Sequence, residues 1–125
     1  MQNLTLAVAL ALIALSEPAV AQLVPVEWDA AGQFSKEVPV AGGKFVEVCE
    51  KLPKRAKIAW SFDAVAPLDF NIHYHEGKKV RFPARKNQVA QDAGTLVTKV
   101  EQDYCWMWTN KNSADATLRL KLARS

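Results

Sequence analysis

The chain has 125 residues, with 16 lysines and arginines against 13 aspartates and glutamates and a formal charge of +3. So small an excess is a mildly basic surface and excludes a nucleic-acid footprint, and the length suits one domain with a modest core.

Leu4 to Leu15 is an almost continuous apolar run, followed by Ser16-Glu17-Pro18 and then Ala19-Val20-Ala21. This is the pattern of a secretory leader over residues 1–21, with an Ala-x-Ala cleavage site before Gln22. The run, about twelve residues, is too short to span about 30 Å of hydrocarbon as a helix, so no transmembrane helix is expected in the mature chain. No lysine or arginine precedes the run, which leaves the amino terminus as its positive charge. The mature domain, residues 22–125, is expected to be periplasmic or secreted, where it meets no nucleic acid.

The mature chain reads as short β-like runs broken by turn signals. Val24 to Trp28 and Phe34 to Val40 come first. Gly42-Gly43 breaks the pattern, and Lys44 to Glu50 carries Phe45, Val46 and Val48 up to Cys49. In the connector Leu52-Pro53-Lys54-Arg55 the proline removes a ladder donor. Lys57 to Val65 alternates, with Ile58, Trp60 and Phe62 on a core face and Ala59, Ser61 and Asp63 on the other.

After Ala66-Pro67, Leu68 to His75 places Leu68, Phe70, Ile72 and Tyr74 inward and Asp69, Asn71, His73 and His75 outward. Glu76-Gly77 marks a turn, beyond which Val80 and Phe82 continue the inward set with Lys79 and Arg81 outward. Matching the apolar faces predicts a loop of Glu76, Gly77 and Lys78, with Tyr74 opposite Val80 and Ile72 opposite Phe82. His75 then opposes Lys79, and His73 opposes Arg81. Pro83 to Asp92 is polar and is predicted to be a long surface loop.

Gly94 to Val100 resumes as a strand and leads to Asp103 to Asn110, the predicted central strand. Alternation puts Cys105 and Met107 on one face and Tyr104, Trp106 and Trp108 on the other. Thr117 to Leu122 closes the chain with Leu118, Leu120 and Leu122 on one dry face. The expected fold is all-β, an antiparallel β-sandwich of about eight short strands. Two cysteines in an exported chain of this size point to one inter-strand disulfide, Cys49 to Cys105, between strands whose inward faces meet across the core; the rival reading, two free thiols in a metal site, has no Cys-x-x-Cys to support it.

From Gly43 to Leu122 the chain has a cysteine, a charged connector, an alternating strand ending near Pro67-Leu68-Asp69-Phe70-Asn71-Ile72 and a glycine-containing turn. A late Tyr-Cys-aromatic element with Asn110 and Ser113, and a final alternating strand, complete the order. This order resembles the GOLD (Golgi dynamics) domain, a β-sandwich of the lumenal portions of cargo receptors. The resemblance implies a bridged Cys49 and Cys105, a free-standing GOLD-like domain over residues 22–125, and a non-catalytic binding role.

There is no Gly-x-Ser-x-Gly, His-Glu-x-x-His or phosphate-cradling glycine loop. Asp63, Asp69 and Glu76 have no serine or unpaired cysteine nucleophile beside them, so the chain is read as a binding protein and not an enzyme. Its partner would be a protein or small ligand of the exported compartment, with no cofactor expected.

The alternative is a periplasmic transition-metal protein. His73 and His75, at i and i+2 of one strand, project about 7 Å apart. With Met107, the one methionine of the mature chain, they offer a donor set for copper or zinc. Against a metal, Met107 shares a face with Cys105 and is expected in the core, Lys79 and Arg81 would repel a cation, and two outward histidines on a strand are usually plain surface, although the same two cations would keep both rings neutral. Asn71, His73, His75, Lys79 and Arg81 form the candidate ligand surface. The row Tyr104, Trp106, Trp108 is either a second binding platform or a face covered by the run holding Val24, Val26 and Trp28.

Overall fold

Alternation of apolar and polar side chains runs through nearly every extended segment, and the strands follow it. The computed structural model describes residues 22–125 and, before them, Ala9, Ala11 and Ile13 alone. Apart from those three positions, the expected leader, with its cleavage site, therefore lies outside the described residues. Among these, seven strands form: β1 Gln22–Pro25, β2 Gln33–Val40, β3 Phe45–Leu52, β4 Lys57–Glu76, β5 Lys79–Val97, β6 Gln102–Thr109 and β7 Ala116–Arg124. No helix among them is long and apolar enough to cross a membrane.

The strands form one curled sheet in the order β1-β3-β6-β4-β7-β2, with β5 paired to β4. Short β1 runs parallel to β3, and the other pairings are antiparallel. β4 makes the curl. Its first part, Ile58 to Ala64, pairs with β7, and its later part, Asp69 to His73, pairs with β6. Between them the ladder to β5 breaks after Asp63 and resumes at Leu68. Pro67 has no N–H to donate and sits in that break, where a bulge bends the strand. The sandwich expected from the sequence is thus two layers of one sheet joined through a bent hairpin. The runs expected as separate strands on either side of Ala66-Pro67 are one strand.

The layers close over a single core in which Val46, Val48, Leu68, Ile72, Trp106, Trp108, Leu118 and Leu120 are buried. Phe62 lies 4.8 Å from Phe70 and 5.5 Å from Trp108 between ring centroids, and Trp60 lies 4.9 Å from Phe70. Each such side chain removed from water contributes about 1.5–3 kcal/mol. The indole N–H groups of Trp106 and Trp108 find no acceptor among the described residues, so packing alone holds these rings.

Two expectations are corrected here, and the alternative left open for the aromatic row is decided. Pro83 to Asp92 is not a loop but the middle of β5. An edge strand paired on one side only needs no apolar face, and its charges and proline guard the open side. The β4–β5 turn is Gly77-Lys78, with Glu76 opposite Lys79, His75 opposite Val80 and Tyr74 opposite Arg81. Gly77 has φ +62°, the conformation a tight two-residue hairpin requires at its first position. This one-residue slip leaves Val80 and Phe82 outside the core, at 40% and 44% exposure. Finally, Tyr104, Trp106 and Trp108 are each 1% exposed. They are core and form no platform, with Val24 in the same cluster and Val26 and Trp28 packed against it.

Candidate functional site

With the aromatic face of β6 turned inward, its other face and those of its neighbours look outward. Cys105 lies opposite Cys49 on β3 and His73 on β4, and Met107 lies opposite Glu47 on β3 and Asn71 on β4. Six side chains thus form two cross-strand rows on one surface. Cys49 and Cys105 are bonded to each other. The bond lies on this outer face and not in the core, because a directly paired cross-strand couple must share one face of its own sheet.

His73 is the centre of the surface. The sequence placed it outward and solvated, yet it is only 6% exposed. Its Nδ1 lies 2.7 Å from Asn71 Oδ1, and its Nε2 lies 3.4 Å from Glu47 Oε1. The hairpin covers it further. Between the pairs Ile72–Ala84 and Tyr74–Arg81 the register shifts, so Phe82 and Pro83 oppose His73 together, and the Phe82 ring lies 6.2 Å from the imidazole. Burial pushes the His73 pKa below the ordinary histidine value; Glu47 opposes that shift and His75 adds to it.

His75 remains exposed, its ring edge-on to His73 at 5.4 Å. The expected surface is therefore only partly assembled. Asn71, His73, His75 and Met107 share it, while Lys79 and Arg81 do not take the places foreseen for them. Lys79 lies across from Glu76 at the hairpin tip, and Arg81 is on the Tyr74 side with its Nη2 3.5 Å from Glu76 Oε1. There Arg81 lines a groove of about 440 Å³ with Tyr74, Pro83, Leu96, Lys99 and Tyr104. Arg85 takes its place on the outer side, opposite Asn71 and 4.8 Å above the Phe82 ring.

Glu47 was missed. Its alternation with Val46 and Val48 places it on the outer face with Cys49, which was the available signal. At the rim, parallel pairing sets Leu23 beside Glu47 and Pro25 beside Cys49. Leu23 is 64% exposed.

No family model and no curated protein matches the chain. Among solved structures, Aeromonas hydrophila PliG, a periplasmic lysozyme inhibitor of g-type lysozyme, has a TM-score of 0.63 at 10% identity, covering 84% of this chain and 97% of its own. The Salmonella Typhimurium PliG also has a TM-score of 0.63, at 12% identity over 85% of this chain and 100% of its own. The pre-peptidase C-terminal domain of a Bacillus anthracis collagenase has a TM-score of 0.59 at 12% identity over 86% and 98%. The likeness is one of fold. It corrects the GOLD reading, since an alternating strand pattern with one cysteine pair is shared by many β-sandwiches and does not select among them. Asn110, which carried part of that resemblance, is fully buried and serves the loops between strands.

Proposed function

We propose that the chain is an exported, non-catalytic binding domain that engages a protein partner through the outer face of β3, β6 and β4. The observation that carries this reading is the composition of that face. A polar centre of Glu47, Asn71 and His73 is rimmed by the exposed apolar side chains of Leu23, Val80 and Phe82, with Met107 and the disulfide between. A desolvatable apolar patch with fixed polar groups inside it is what a protein interface offers, and the core of this domain is complete without it. The fold likeness supports the reading. The two PliG proteins are covered almost end to end, so a unit of this size and fold suffices for an inhibitor that binds an enzyme.

A g-type lysozyme is accordingly the first partner to try. Clearing of peptidoglycan by g-type and c-type lysozymes is measured with and without the mature protein, and binding is measured by calorimetry. Binding that is lost in Phe82→Asp or Leu23→Asp supports the assigned face. Retention of full binding by both variants removes the face, and an uncleaved, cytoplasmic chain with reduced cysteines removes export.

A further inference from the structure

Glu47 and His73 stand on strands that are not neighbours. β6 runs between β3 and β4, so their backbones are separated by two strand spacings, about 10 Å. Their side chains nevertheless reach over β6 until His73 Nε2 and Glu47 Oε1 are 3.4 Å apart. Asn71 decides what that contact is. Its Oδ1 lies 2.7 Å from His73 Nδ1; in the neutral ring with its proton on Nδ1, Oδ1 accepts that proton and Nε2 turns a lone pair toward a carboxylate oxygen. In that tautomer two acceptors face each other in a half-buried place, an arrangement that a proton or a cation between them relieves. Their spacing is also that of two ligands each about 2.0–2.2 Å from one tetrahedral ion. A backbone or side-chain acceptor on the far nitrogen is the usual way a metal-binding histidine is oriented.

The remaining donors lie beside them. The ligand atoms of Glu47, His73 and Cys105 all fall within 4.8 Å of one another, and Cys49 is directly across the ladder from Cys105. Oxidised, the two sulfurs are spent on each other. We propose that reduction of the Cys49–Cys105 bond makes this face a four-ligand site for a zinc-class divalent cation, held by the two thiolates, His73 Nε2 and the Glu47 carboxylate. A dithiol reductant supplies two electrons and two protons. The S–S bond breaks, two cysteine thiols form, and the reductant closes to its own disulfide. Each thiol releases its proton to solvent as the cation binds, and the cation keeps its charge. Two sulfurs, one nitrogen and one oxygen suit zinc, whereas calcium and magnesium require oxygen ligands. Both cysteines are on the outer face and half-buried, so a reductant meets them from solvent without opening the core. The β3–β6 ladder runs from Phe45–Thr109 to Leu52–Gln102 and keeps the two sulfurs side by side.

The test titrates cobalt(II), then zinc(II), into the mature protein, oxidised and after anaerobic reduction with a phosphine that does not compete for metal. The oxidised protein is expected to show no thiolate-to-cobalt absorption. The reduced protein should bind one equivalent with tetrahedral cobalt bands that zinc abolishes. His73→Gln and Glu47→Gln, reduced in the same way, should bind more weakly by roughly tenfold or more, and Asn71→Ala by a comparable factor. Circular dichroism follows the fold throughout. If reduction unfolds the domain, zinc should refold the wild type and not His73→Gln, since a site absent from the unfolded chain couples binding to folding. A folded reduced protein that takes up no cobalt overturns the proposal. So does uptake that His73→Gln leaves unchanged, or an unfolded reduced chain that zinc does not restore.

Discussion

A Cβ placed on Gly94 would lie 2.6 Å from Cζ2 of Trp60, so these two residues fit across the β4–β5 ladder only because one of them lacks a side chain. Trp60 is 8% exposed and stacked among Phe62 and Phe70. It cannot retreat. Gly94→Ala should therefore destabilise by about 1–3 kcal/mol through overpacking. In a Trp60→Phe background, which removes the clashing part of the indole, the same change should cost much less. Denaturant unfolding of the four proteins gives the coupling, and equal effects of Gly94→Ala in both backgrounds would mean that the contact is not what limits position 94. Trp60→Ala by itself should cost about 3–5 kcal/mol.

The Cys49–Cys105 bond closes a loop with a sequence separation of 56. Because it lies on the outer face, removing it leaves no cavity in the core, and its contribution is mainly the restriction of the unfolded chain. Cys105→Ala should cost roughly 2–5 kcal/mol. The double change Cys49→Ala with Cys105→Ala should cost about the same as either single change, since each alone already removes the bond. Intact mass with and without reductant establishes the bond in the exported protein. Two alkylatable thiols without reduction would contradict it.

Asn110 ties the β6–β7 loop to the end of β2. Its Nδ2 donates to Val40 O at 3.0 Å and Ala114 O at 2.9 Å, and its Oδ1 accepts from Asn112 N at 2.9 Å. The residue is wholly buried, so water cannot replace these bonds, and each orphaned group costs about 1–3 kcal/mol. Asn110→Ala should destabilise by at least about 2 kcal/mol. Asn110→Asp, which sets a second oxygen against two carbonyls, should be no better. A change below about 0.5 kcal/mol for the alanine variant, in urea unfolding, would refute this role.

What was legible in the sequence was legible for one reason: a strand half in the core repeats every second residue. The inward sets of β7, and of β4 at Ile58, Trp60 and Phe62, are where alternation placed them, and alternation divided β6 into its two faces but did not say which of them is the core. β5 has no such record, because an edge strand that is polar on most of its length looks like a loop until its partner is known. The hairpin register was missed by one residue. Apolar Val80 and Phe82 suggested an inward face, while Gly77 permits a tighter turn and the shift at His73 absorbs the difference. The pairing of the cysteines followed from their number, but the face they share did not, since Cys49 and Cys105 were expected to meet across the core. The burial of His73 depends on Glu47 and Phe82, which come from other strands and leave no mark in the local pattern of β4.

That burial reverses one expectation and supplies the last prediction. Two outward histidines on a strand would both be removable at little cost, but only His75 is so placed. His75→Ala should stay within about 0.5 kcal/mol of the wild type. His73→Ala removes the partner of Asn71 Oδ1 and leaves a void beneath the Phe82 ring, and should cost about 1–3 kcal/mol. The pH dependence has a definite sign. Burial holds the folded-state pKa of His73 below the ordinary histidine value, so near and below that value the unfolded chain takes up a proton that the folded one refuses. The contribution is fully present above the unfolded value, and it is lost as pH falls through that value toward the lower folded one. Unfolding free energies of the wild type and His73→Gln, measured in urea at about pH 8 and about pH 5, isolate it, since every other titrating group is common to both. The wild type should lose more stability on acidification than His73→Gln. An equal loss would mean that His73 titrates alike in both states, and a smaller loss would mean that the Glu47 pair outweighs burial and raises the pKa instead.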